Sequence, residues 1–131
     1  MTRVERSVEL FIAVSTFIVA VSHIVLPTDW ATLYRQLHEL RRTGAFINGM
    51  ITLIPGVLIV AGHWVWSFPG IVVTLYGILL VIKSAVCLLF PDVALRSMRR
   101  GGDSPRGFVG AGVVLLFLSA WTCFSLWITR G

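Results

Sequence analysis

The chain has 131 residues, a formal charge of +5, 56% hydrophobic residues and only 13% charged ones. With a mean hydropathy of +0.88, this composition excludes a water-soluble core and points to one integral membrane domain. Nearly all the positive charge is arginine, which here reports loop orientation and contact with anionic lipid rather than nucleic-acid binding.

The opening MTRVERSVE mixes charges and reads as an exposed flank. Span one covers about 8–26 and stops at Pro27. A secretory signal is the competing reading, with Arg3 and Arg6 as its basic region and Ala20 and Ser22 as a cleavage pair. Glu5 and Glu9 dilute that region, and the apolar run continues past Ser22. Residues 28–43 predict an amphipathic interfacial helix. Trp30, Leu33, Tyr34, Leu37 and Leu40 share one stripe, and Arg35, Gln36, His38, Arg41 and Arg42 the other. Thr28 or Asp29 is the expected N-cap, Arg35 and Glu39 an expected pair, and Gly44 the expected end. Docking on a partner protein is the alternative use of this helix.

Span two covers about 45–66 and contains Asn48, Thr52 and Pro55. Pro55 has no N–H for the Ile51 carbonyl, so that oxygen is free within the span. The loop GHWVWSFPG, residues 62–70, lacks Lys, Arg, Asp and Glu. Its Trp64, Trp66 and Phe68 read as an interfacial aromatic belt with His63 beside it. Span three covers 71–90, with Lys83 as its only charge. Residues 91–107 read as a short capped basic segment carrying Arg96, Arg99 and Arg100, followed by a flexible Gly/Ser/Pro stretch. Span four covers about 108–128. Near its start Gly107 and Ala111 recur at the spacing that lets helices approach closely.

The expected fold is therefore all-α, an integral membrane four-helix bundle forming a single domain over 1–131. The halves share a plan: a span, a proline (Pro27, Pro91), a basic segment, a glycine (Gly44, Gly107) and a return span. This reads as two tandem helical hairpins in one orientation, each with a cytoplasmic basic connecting segment. The loops after spans one and three hold Arg35, Arg41, Arg42, Arg96, Arg99, Arg100 and Arg106, against Arg3, Arg6 and Arg130 on the other side. Positive-inside then places both termini outside.

Lys83 lies seven residues before Phe90, roughly 10 Å from that end of its span. Helical side chains lean toward the N-terminus, away from this nearer interface, so snorkelling is disfavoured. Lys83 is expected to face the bundle interior, a partner or a water-filled cavity. A structural lysine solvated by carbonyls and a water defect is the plain alternative. The functional alternative is an intramembrane site built from Lys83 with Thr52, Pro55, Asn48 and Ser84, in which Lys83 bonds to the oxygen freed at the Pro55 kink. Its equivalent in the first half is Val19.

Residues 63–91 resemble a group of small bacterial four-span proteins of unknown function. That group has a His-Asn-x-Trp loop before a span of the form T-x-x-G-W, four residues, K-G, then L-x-x-P. His63, Trp66, Thr74, Gly77, Lys83, Leu88 and Pro91 match. Trp64 stands where Asn is usual, Ile78 where Trp is usual and Ser84 where Gly is usual. The segment from Pro91 to Gly112 is similar to the hairpin of the YjeT-like inner-membrane proteins. The first resemblance implies a four-span membrane fold, the second a single inner-membrane hairpin, and neither implies an activity.

Cys87 and Cys123 form no CxxC pair and read as buried thiols acting as small hydrophobes. His23, His38 and His63 lie at two interfaces, with no carboxylate at ligand spacing, so no metal or cofactor is expected. Every Asp and Glu falls in a loop or at a span end, which argues against a proton-coupled pump. The leading expectation is a non-enzymatic scaffold or accessory subunit. A small oligomeric channel or transporter for an anion or lipid-like solute, with Lys83 on its path, is the alternative, and a lipid or envelope-stress sensor is a third. The bilayer and its anionic lipids are the expected partners, bound by Trp30, Tyr34, Arg35, Arg41, Arg42, Arg96, Arg99, Arg100, Trp64 and Trp66. A homo-oligomer or a larger membrane complex is a further expectation.

Overall fold

A computed structural model describes residues 1–130, and they are helical apart from short connections. Four helices are long and apolar enough to cross a membrane: α1 (Arg3–Val25), α3 (Arg42–Gly62), α4 (Ile71–Leu89) and α6 (Pro105–Ile128). Two shorter helices connect them, α2 (Pro27–Glu39) and α5 (Pro91–Asp103). The protein is a multi-pass helical membrane protein. The termini and residues 63–70 share one end of the bundle, and α2 and α5 share the other.

Pairing does not follow chain order. α1 packs chiefly on α6, α3 on α4 and α2 on α5. Exchanging the halves turns the α1–α6 contact into α4–α3 and maps α2–α5 onto itself, so the two copies interlock rather than fold as separate hairpins. Local geometry repeats too. Leu26 before Pro27 has φ −124° and ψ 50°, and Phe90 before Pro91 has φ −127° and ψ 65°. Proline then begins each connecting helix, where its missing N–H is harmless.

Small residues set the two main contacts. Gly49 and Gly56 lie seven apart on α3, and Gly112 and Ser119 seven apart on α6. A Cβ on Gly49 would stand 2.9 Å from Cys87 Cβ, and one on Gly112 2.9 Å from His23 Cβ. Ser119 Oγ donates to the Ala13 carbonyl at 2.7 Å. In lipid there is no hydrophobic drive between helices, so close backbone approach and buried hydroxyls hold the pairs. This corrects the expectation for Gly107 and Ala111. Space beyond Gly107 is open and Ala111 is exposed; the same small-residue logic acts on the opposite face, at Gly112.

Several boundaries also differ from the sequence reading. Neither Thr28 nor Asp29 caps α2, because Pro27 already starts it. Gly44 does not end α2 but lies inside α3, against the Leu37 backbone; the chain turns at Arg41, whose φ is 57°. Residues 101–103 belong to α5, and Ser104 alone separates α5 from α6, so no flexible stretch intervenes. Arg35 donates to the Gly102 carbonyl and to Thr32 Oγ1 instead of pairing with Glu39, and so ties α2 to α5. The aromatic face of α2 turns to protein rather than headgroups. Trp30 stacks on His23 with centroids 4.1 Å apart and donates to Ser22 Oγ at 2.9 Å. Phe108 lies against both Trp30 and Tyr34. Only Leu33 and Leu40 of that stripe are exposed.

Candidate functional site

Lys83 sits on the outer face of α4, exposed together with Leu75, Leu79 and Ile82. It does not face the bundle interior. Among the described residues it forms no hydrogen bond or ion pair, so it is not bonded to the Pro55 kink. The reason is register. α4 buries Val73, Thr74, Gly77, Ser84 and Cys87, and Lys83 is turned roughly 100° from Ser84 at 3.6 residues per turn.

The other residues proposed around Lys83 do meet, without it. Thr52 and Ser84 place their hydroxyls 2.9 Å apart across the α3–α4 contact, and Ser84 also donates to the Leu80 carbonyl at 2.7 Å. Asn48 is buried one turn from Thr52, whose hydroxyl also reaches the Asn48 carbonyl at 3.0 Å. Pro55 is half-buried in an uninterrupted α3. These groups close a helix–helix contact.

At the opposite end lies a polar centre that the sequence reading did not assemble. Glu9, His63, Thr74 and Ser125 come from α1, the end of α3, α4 and α6, and all four are fully buried. Glu9 Oε1 lies 3.0 Å from His63 Nε2 and accepts from Ser125 Oγ at 2.9 Å. His63 Nδ1 lies 3.0 Å from Thr74 Oγ1. That hydroxyl oxygen also accepts from the Val65 amide at 3.2 Å and lies 2.9 Å from the Val65 carbonyl. Glu9 Oε2 is buried with no partner.

Two earlier expectations fall here. His63 is not an interfacial companion of the aromatic belt, and Glu9 is not part of an exposed flank. α1 begins at Arg3, so Glu9 lies nearly two turns inside it. A carboxylate is therefore held inside the bundle near one face of the membrane. A signal for it existed. Glu9, Ile12, Ala13, Thr16, Ala20 and His23 all fall on the buried stripe of α1, at helical spacing.

Residues 63–70 cover this centre. Trp121 Nε1 donates to the Pro69 carbonyl at 3.1 Å and pins the loop to α6. A groove of about 350 Å³ opens above it, lined by Glu5, Trp64, Trp66, Phe68, Gly70 and Thr129 among others. Gly70 lines it, and a Cβ there would stand 3.5 Å from Glu9 Oε1. Trp64 and Trp66 are exposed and meet edge to face at 5.2 Å.

Of the other residues expected at the interfaces, Arg35, Arg41, Arg42, Arg96, Arg99 and Arg100 are exposed at the end formed by α2 and α5. Arg42 lies 3.7 Å from Asp92, an exposed pair that links the two halves. His23 is buried, with Nδ1 2.8 Å from the Val19 carbonyl. Cys87 is buried and Cys123 exposed, so only the first is a core thiol. No family model, no curated protein and no solved structure matches the chain.

Proposed function

We propose that this protein is a non-enzymatic scaffold or accessory subunit of a membrane complex. The observation that supports this is Lys83, an unpaired cation on the outward face of α4. A lysine at such a depth costs about 2.5–3.5 kcal/mol by insertion scales. Nothing among the described residues offsets that. A transmembrane helix presenting a carboxylate at the same level would, because the pair would be desolvated together and directly bonded. A second copy of the same face would instead oppose Lys83 with Lys83. The carboxylates within α1, Glu5 and Glu9, stand at the other end of the bundle, and Glu9 is occupied by His63.

The arginine-rich end formed by α2 and α5 faces the cytoplasm in this reading, by the positive-inside rule, with both termini outside the inner membrane. Its exposed arginines would hold anionic lipid. The test is purification of the tagged protein from native membranes in mild detergent. A partner with an acidic transmembrane helix should be retained by the wild type and by Lys83→Arg, and lost from Lys83→Met. Equal retention by Lys83→Met, or a wild type that is always alone, would refute the reading.

A further inference from the structure

We propose that Glu9 and His63 form a proton-binding centre whose occupancy is coupled, through Thr74, to the loop over the bundle end. Thr74 has one hydroxyl proton and three nearby claimants, the Val65 carbonyl at 2.9 Å, His63 Nδ1 at 3.0 Å and the more distant His63 carbonyl at 3.3 Å. If Thr74 donates to Val65, then Nδ1 must carry its own proton and donate to Thr74. Nε2 faces a carboxylate oxygen that already accepts from Ser125, so it donates as well. The arrangement that satisfies both ring nitrogens and the Val65 carbonyl is therefore an imidazolium against a carboxylate, with zero net charge.

Removing one proton to water breaks no other covalent bond, but it changes the contacts. Nδ1 becomes an acceptor, Thr74 turns its hydroxyl to the ring, and the Val65 carbonyl loses its donor. The centre is left with a net negative charge, and Glu9 Oε2 has no partner to share it. A buried, uncompensated carboxylate draws in water. The groove lined by Gly70, where a Cβ would stand 3.5 Å from Glu9 Oε1, offers that water a way in. Proton loss thus loosens the Val65 segment, which keeps its amide bond to Thr74 Oγ1, and favours hydration from the same side.

Among the described residues, the other charged groups at this end are engaged elsewhere or exposed. On α1, Glu5 accepts from the Thr2 amide at 2.6 Å and Arg6 donates to the Thr129 carbonyl at 3.3 Å. Arg3 and the amino terminus lie at the exposed start of α1, and Arg130 follows α6. α3 brings only His63 to this end. α4 brings only Tyr76, which packs on the apolar cluster of Ile12, Ile59 and Val73. The second half has Val73 where the first has Glu9, by the offset that aligns Pro27 with Pro91, so the centre is not a by-product of the repeat.

The test is NMR of the whole protein in lipid nanodiscs, with nitrogen-labelled histidine and valine, across the pH range in which it stays folded. His63→Gln assigns the ring. In the wild type the His63 ring and the Val65 amide should titrate with one midpoint. In Thr74→Ser both should still move together. In Thr74→Val or Thr74→Ala the ring should titrate while the Val65 amide no longer follows. A ring that keeps one protonation state throughout would overturn the proposal. So would a Val65 amide that ignores the ring in the wild type, or follows it without the hydroxyl.

Discussion

Replacing Glu9 with leucine keeps most of the side-chain volume and removes the carboxylate that joins α1 to the end of α3 and to α6. His63 Nε2 and Ser125 Oγ lose their acceptor. Each orphaned buried group costs about 1–3 kcal/mol, and removing one member of a buried pair typically costs about 3–5 kcal/mol. Relief of the unpartnered Oε2 works the other way. We therefore expect Glu9→Leu to lose about 3 kcal/mol. His63→Phe should lose a similar amount, since Glu9 would then be buried alone against Ser125. The double variant replaces the pair by apolar groups, and Ser125 can turn to a carbonyl of its own helix. It should therefore lose less than about 1.5 kcal/mol. Reversible unfolding in mixed micelles, read as a double-mutant cycle, measures all three. Losses that simply add would refute the pairing as a source of stability.

Gly112→Leu should lower the melting temperature and cost about 1–3 kcal/mol by overpacking, because its Cβ meets the Ala20 carbonyl and His23 Cβ at 2.9 Å. Gly107→Ala, facing open space, should stay within about 0.5 kcal/mol of wild type. A Thr52→Val, Ser84→Ala cycle should give a coupling of about 0.6 kcal/mol, the usual size for an interhelical bond in a membrane. Trp121→Phe removes the donor to Pro69 and should speed hydrogen exchange at residues 65–68 and leave exchange in α3 and α4 unchanged.

The spans were legible because twenty-residue apolar runs leave no other solution, and the prolines marked both connecting helices. The repeat was legible in outline from Pro27 and Pro91. Its interlocked form was not, because the hairpin plan gives no hint that α1 closes on α6. Lys83 was visible as an anomaly, and of the three surroundings expected for it its position excludes the bundle interior. Charge suggested the interior, whereas the interior of α4 is chosen by small residues, Gly77, Ser84 and Cys87. Glu9 was hidden by its neighbours. Next to Arg3, Glu5 and Arg6 it looked like flank, and His63 is 54 residues away. The stripe of Ala13, Thr16 and Ala20 that continues from it was the available clue. In a soluble helix that stripe would be weak, but in a membrane bundle small and polar residues mark the packed face.

The most direct measurement is photo-crosslinking in native membranes from a reactive residue placed at Leu79, exposed one turn from Lys83 on the outer face of α4. The account predicts an adduct with a different protein that carries an Asp or Glu in a transmembrane helix. That adduct should be lost with Lys83→Met, kept with Lys83→Arg, and regained when Lys83→Glu is combined with a lysine at the partner's acidic position. Adducts with lipid alone, with a second copy of this chain, or with a protein whose yield ignores Lys83 would contradict it.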